Sequence, residues 1–278
     1  VAPAILAGGI IQINLLVDTI FASLLETGSP TWLYVSDRLI QFPMGIFAIA
    51  IGTVLLPTLS KLDLKNEKIK FIQSVHKGQR FVIFIAVPSL IGLFFCAEDL
   101  ISTIFYRGAF TQIDVLNSSY SLMAFSFGLP FFMLMKVLTP AFFARKDTKT
   151  PMYVAMVSLL LNASLNYYLA FMLDFGHIGI ALGSSIAALI SVLILEFILY
   201  KDGFIKIKSV FNRFNIMILF SSLSLILFLN FYTNLTNFIE FSQVERLLYL
   251  SIEVIISIII YGAVSRLILR KPIQTLFE

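Results

Sequence analysis

The sequence is short of charge. Only 13% of its 278 residues are Asp, Glu, Lys or Arg, against about 25% in an average soluble domain. It also has little of the side chains that most site chemistry uses. One cysteine, Cys96, excludes an internal disulfide framework and any multi-cysteine metal cluster. Two histidines, His76 and His177, fall in separate loops without metal-ligand spacing. There is no Walker loop, no GxSxG and no HExxH, so no catalytic constellation stands out and the chain does not read as an enzyme.

What is present is apolar. Hydrophobic residues make up 59% of the chain, Phe alone supplies 28, and the mean hydropathy is +0.94. This is the composition of an integral membrane protein. A spanning helix needs about 20 mostly apolar residues. Eight segments qualify: Pro3–Leu25, Thr31–Leu56, Phe81–Ala97, Leu116–Ala144, Pro151–Leu173, Ile178–Tyr200, Phe214–Thr233 and Leu247–Leu267. The expected fold class is therefore all-α and polytopic. The chain enters its first apolar segment at once, with no basic leader region, which reads as a fragment whose start lies upstream.

The net charge of +4 could suggest nucleic acid, but the placement of the basic residues says otherwise. With the first segment running from inside to outside, one set of connections holds Lys61, Lys65, Lys68, Lys70, Lys77, Arg80, Arg145, Lys146, Lys149, Lys201, Lys206, Lys208, Arg213, Arg266, Arg270 and Lys271. The opposite set holds only Arg107 and Arg246. Sixteen against two is a strong positive-inside bias, which places the C-terminus in the cytoplasm and implies no nucleic-acid partner. Leu62–Arg80 spaces Ile69, Ile72 and Val75 helically among charges, and predicts an amphipathic helix on the inner surface.

Six ionisable residues fall within spans: Asp18, Asp37, Arg38, Lys136, Glu196 and Glu253. Each costs about 2.5–3.5 kcal/mol at the centre of a membrane helix, so they are functional candidates by default. Arg38 shares a helix face with Gln41, and Asp37 shares one with Tyr34 and Gln41. An Arg here offers a planar fork suited to phosphate or carboxylate; a salt bridge to a neighbouring helix is the alternative. Asn14 precedes Asp18 by one turn, and Asn162 precedes Asn166 by the same spacing. With Ser184 and Ser185 these could form a monovalent cation or proton site, or simply hydrogen-bond helix to helix. Lys136 and Glu196 read as snorkelling towards the inner interface. Pro43, Gly45, Gly52, Pro130 and Pro140 make kinks expected within spans, while Pro57 and Pro151 read as helix boundaries.

Four runs carry a family resemblance: INLLVDTIFASLLETGSPTWLYVSDRLIQFPMGIFAIAIGTVLLPTLSK (Ile13–Lys61), FYRGAFT (Phe105–Thr111), KVLTPAFFARKDTKTP (Lys136–Pro151) and GHIGIALGSSIAA (Gly176–Ala188). Over roughly residues 5–200 the sequence resembles the MurJ (MviN) lipid II flippases of the multidrug/oligosaccharidyl-lipid/polysaccharide exporter superfamily. The resemblance implies a six-helix transporter lobe over residues 1–200, corresponding to helices seven to twelve of the family. A terminal hairpin, helices thirteen and fourteen, would follow over 201–278, and the N-terminal lobe would be absent from this chain.

The resemblance further implies a bacterial cytoplasmic (inner) membrane location and export of lipid II, the undecaprenyl-diphosphate-linked muropeptide, for cell-wall biogenesis. Peptidoglycan synthases would be its protein partners. Arg38 would line the central cavity and receive the diphosphate, with Asp37, Gln41 and Tyr34 beside it. Asp18, Asn162, Asn166 and Ser184 match a sodium site, with Asn166 standing where a carboxylate can occur, so the coupling ion is Na+ or a proton and no other cofactor is expected. The terminal pair, with Glu253, would border a groove for the polyprenyl tail. Export of another polyprenyl-linked glycan or a drug, and a scaffold role in cell-wall synthesis, are the competing expectations.

Overall fold

The computed structural model describes residues 2–205, 213–233, 238 and 241–269, and every regular element among them is helical. The helices are α1 (Ala2–Ser23), α2 (Ser29–Pro43), α3 (Ile49–Ser60), α4 (Lys68–Phe95), α5 (Ala97–Phe105), α6 (Gln112–Ser126), α7 (Leu129–Ala144), α8 (Lys149–Tyr167), α9 (Gly176–Lys201), α10 (Arg213–Thr233) and α11 (Gln243–Leu269). Lys206, Lys208, Arg270 and Lys271 of the basic set lie outside the described residues.

Among the described residues six helical stretches are long and apolar enough to cross a membrane, and the bent pair α6–α7 makes a seventh. Many large apolar side chains point outward, among them Leu16, Phe42, Leu160, Leu219 and Ile258. Such a surface is stable against lipid and not against water, so the chain is a multi-pass membrane protein.

Several sequence segments are built differently from their expected outlines. The second is α2 and α3 joined by a π-helical turn, Met44–Ala48. Pro43 has no N–H for the helical ladder, and the wider turn takes up the mismatch. The fourth segment breaks at Phe127–Gly128, where α6 and α7 meet at 42°. Pro130 opens α7 in its first turn, and a proline ring crowds the carbonyl four residues earlier, here Ser126 at the end of α6, so the bend expected at this proline lies just ahead of it; Pro140 lies inside α7. Pro57, read as a boundary, lies inside α3.

The expected surface helix is corrected most clearly. Its residues and the short third segment form one continuous helix, α4. Phe71 and Val75 are fully buried and Ile72 nearly so, while Ile69 is left exposed. Of the apolar stripe seen in the sequence, Ile72 and Val75 face the bundle and Ile69 faces outward.

The core is centred on α7. Met133, Val137, Leu138 and Phe142 are fully buried among Phe71, Val75 and Val82 of α4 and Ile180 and Leu195 of α9. At one end of the bundle three basic connections meet. Arg145 Nη2 pairs with Asp202 Oδ2 at 2.5 Å, Lys68 Nζ donates to Asp202 O at 3.3 Å, and both cations lie over the Phe204 ring. The last two helices pack on each other, α10 also against α4, and α11 against α5. Tyr261 Oη donates to Phe84 O at 3.0 Å and fastens α11 to α4.

Candidate functional site

A cavity of about 380 Å³ opens between α1, α2, α7, α8 and α9. Its walls are mostly apolar, with Leu33, Ile40, Phe125, Phe132 and Ile180 among them. Into it face Asn14 and Asp18 of α1, Tyr34, Asp37 and Gln41 of α2, Lys136 of α7 and Ser184 of α9. A mainly apolar pocket with a few convergent polar groups is the usual form of a binding site. Helical spacing explains the convergence, since positions 34, 37 and 41 repeat on one face, as do 14 and 18.

On α2 the polar side chains form a chain of contacts. Gln41 Nε2 donates to the Asp37 carboxylate, and Arg38 Nη1 donates to Gln41 Oε1 at 3.2 Å. The Arg38 guanidinium also lies 4.6 Å from the Tyr34 ring centroid. Asp37 lies beside Arg38 in sequence, but no direct ion pair joins them among the described residues. The Gln41 amide relays between them. Arg38 itself is exposed beside the cavity and is not part of its lining. Its guanidinium keeps donors uncommitted, because it accepts nothing and is served by a single amide oxygen.

The second cluster is a closed hydrogen-bonded ring. Asn166 Nδ2 donates to Asp18 Oδ1 at 2.6 Å and to Asn162 Oδ1 at 2.9 Å. Asn162 Nδ2 donates to Ser184 Oγ at 2.8 Å, and Ser184 Oγ closes the ring on Asp18 Oδ2 at 3.3 Å. Three helices, α1, α8 and α9, are thus tied through four side chains. Asn162 and Asn166 are fully buried. Ser185 takes no part; its hydroxyl donates to Ala124 O and Ala181 O.

The donor set suits a hard monovalent cation. One carboxylate, the amide oxygens of Asn162 and Asn166 and a hydroxyl are all oxygen ligands. Asn14 Oδ1 and Asn166 Oδ1 are both buried without a hydrogen-bond partner. A buried amide oxygen left bare is costly, and a cation is one way to satisfy it.

Lys136 is the residue that sequence reasoning placed elsewhere. It was expected to snorkel, yet it lines the same cavity as Asp18 of α1 and Asp37 of α2. The available signal was its position, a basic residue well inside a span. Glu196 and Glu253 do not join the cavity. Glu196 Oε1 accepts from Gln79 Nε2 at 2.9 Å, a link between α4 and α9. Glu253, expected at a groove, has no exposed surface, and its carboxylate lies against Cys96. A groove role has no outward-facing carboxylate behind it.

Comparison with known proteins identifies the family. The family model described as lipid II flippase MurJ matches residues 1–249. A probable lipid II flippase MurJ from Vibrio cholerae is 41% identical over 201 residues, which cover 72% of this chain and 38% of that protein. The lipid II flippase MurJ of Burkholderia cenocepacia is 32% identical over 223 residues, 80% of this chain and 43% of that one. A solved structure of lipid II flippase MurJ in an inward closed conformation superposes with a TM-score of 0.76 at 29% identity, covering 94% of this chain and 51% of that chain. A MOP superfamily transporter from Pyrococcus furiosus shares the fold alone, with a TM-score of 0.59 at 17% identity over 95% of this chain and 62% of that one. The chain spans less than half the length of these curated relatives. The chain belongs to the MurJ lipid II flippase family.

Proposed function

We propose that this chain is the C-terminal half of an alternating-access flippase that carries lipid II from the inner to the outer leaflet of the bacterial cytoplasmic membrane. The observation that carries the reading is the Arg38 arrangement beside a mainly apolar cavity into which a few polar side chains converge. A diphosphate crossing a bilayer needs a cation that never loses its proton. Arg38 is such a group, steadied by Tyr34 and Gln41 but with donors to spare. Lys136 adds a second positive charge across the cavity. The head group would rest against these residues while one lobe rocks against the other.

In this reading residues 1–200 form a six-helix lobe and 201–278 a terminal hairpin. Counting α1 as a span gives eight, which puts both ends on the cytoplasmic side. The meeting of Lys68, Arg145 and the Asp202 loop at one end of the bundle supports that side as the basic, cytoplasmic one. A polyprenyl tail would lie along the apolar outer faces of α10 and α11, where Leu223, Leu227, Ile255 and Ile259 are exposed.

The Asp18 ring would hold Na+ and couple ion binding to the packing of α1 on α8 and α9. Sodium is then expected to raise the melting temperature of the full-length protein relative to an equal concentration of choline. At ten times Kd the gain is about 1.4 kcal/mol. Asp18→Ala is expected to remove that gain. Equal sodium protection in the variant would assign the ring to helix–helix bonding.

The flippase reading is tested in a bacterium that has the full-length protein as its only candidate flippase. Depleting it should strip lipid II from the outer leaflet while lipid II accumulates inside. Unchanged lipid II at the outer leaflet would favour a different cargo or a scaffold role.

A further inference from the structure

Far from the cavity, a buried polar cluster lies where α11 meets the corner between α4 and α5. Glu253 of α11 is fully buried, and its Oε1 accepts a hydrogen bond from Cys96 Sγ at 3.1 Å. Its Oε2 has no partner. Asp99, in the first turn of α5, is only 7% exposed, and its Oδ2 also lacks a partner. Thr103, one turn further along α5, is buried with an unpartnered hydroxyl oxygen.

Among the described residues no salt bridge reaches Asp99 or Glu253. Arg246, the basic residue of α11 nearest in the chain, makes two hydrogen bonds to backbone carbonyls. Its Nε donates to Phe238 O at 2.6 Å and its Nη1 to Ser102 O at 3.3 Å, and its guanidinium lies 4.8 Å from the Tyr106 ring centroid. The other titratable groups that bear on the pair are acidic or weakly so: Glu98 of α5, Tyr232 of α10, Tyr249 of α11 and the Cys96 thiol. A buried carboxylate without a counter-charge takes up a proton rather than stay ionised.

We propose that Asp99 and Glu253 form a proton-binding site that holds α11 against the α4–α5 corner when occupied and loosens it when the proton leaves. The site joins the terminal hairpin to the six-helix body, because α11 touches the body here and through Tyr261 on α4. Burial, then the charges of Glu253 and Glu98, push the Asp99 carboxyl up to about 8. Folded, it binds a proton more tightly than an unfolded carboxyl does. Its contribution is therefore complete below the ordinary carboxylate range and is lost as pH rises through about 8. Neutral pH lies on the occupied side.

Cys96 reports on the site, since it is the only cysteine in this sequence, is 4% exposed, and donates to Glu253. The experiment uses the full-length protein in proteoliposomes, with Cys96 as sole cysteine. Its alkylation by N-ethylmaleimide is followed from about pH 6 to about pH 9.5 and normalised at each pH to the denatured protein, which removes the pH dependence of an accessible thiol. Protection should hold at the acidic end and fall at least about fivefold across pH 8, and the doubly neutral Asp99→Asn/Glu253→Gln protein should stay protected throughout. Wild-type protection that ignores pH, or a variant that opens like wild type, overturns the proposal. Where the variant does not fold, infrared spectra of the wild type decide. A protonated-carboxyl band lost over the same pH range is expected, and no such titrating band is the contrary result.

Discussion

Arg38→Ala, in a bacterium that depends on the full-length protein to export lipid II, is expected to lower the lipid II accessible at the outer leaflet by about tenfold or more at matched membrane abundance. A hydrogen bond to a charged group contributes about 1.5–3 kcal/mol, and each 1.4 kcal/mol is about tenfold in binding. The substitution should leave folding nearly untouched. Arg38 is exposed, and its contacts are one 3.2 Å bond to Gln41 and a stack on Tyr34, the latter about 0.5–1 kcal/mol at an exposed site. Arg38→Lys keeps the charge but loses the planar fork and the stack, so an intermediate level is expected. Normal export in both variants would make Arg38 structural.

Gly179→Val is expected to have the largest effect on folding. A Cβ at Gly179 would lie 2.7 Å from both Ala170 N and Leu169 C, and 2.9 Å from Ala170 Cα. These are backbone atoms of the π-helical turn Tyr168–Met172, which cannot rotate aside. The turn and α9 would have to separate, one turn of α9 away from Ser184 and its ring with Asn162 and Asn166. Overpacking of this kind costs about 1–3 kcal/mol and occasionally more. Less folded protein in the membrane and a lower melting temperature should be seen by fluorescence size-exclusion. Gly45→Ala is the control. No atom lies within 4 Å of its Cβ position, so wild-type stability or a gain of up to about 1 kcal/mol is expected.

The polar ring was legible because helical periodicity alone puts Asn162 with Asn166 and Asn14 with Asp18, and polar side chains in a span have few places to go. Periodicity alone could not choose Ser184 over Ser185, since neighbours point about 100° apart; the family resemblance made that choice. The span at Leu62–Ala97 was divided wrongly because charge was taken as the edge of the membrane. Lys70, Gln73 and Lys77 sit on the outer face of a helix whose other face, through Phe71 and Val75, belongs to the core. Lys136 and Glu253 were misplaced for a shared reason. A charge within a span has a low-energy route only to a cavity, a partner or the interface, and a single sequence does not show which neighbour is present. The bend at Phe127–Gly128 was legible through Pro130, although a sequence alone does not say whether a proline bends one helix or starts the next.

The most direct test of the diphosphate site puts a photo-crosslinking benzophenone side chain at position 34 of the full-length protein, in cells where lipid II accumulates. Tyr34 is 58% exposed and stacks under Arg38, so the probe would replace a side chain without opening the core. The expected result is a crosslink to lipid II that is lost on Arg38→Ala and is absent from a probe at Leu160, on the outward face of α8. A crosslink of equal strength at position 160, or one at position 34 that is indifferent to Arg38, would contradict a head-group site beside this cavity.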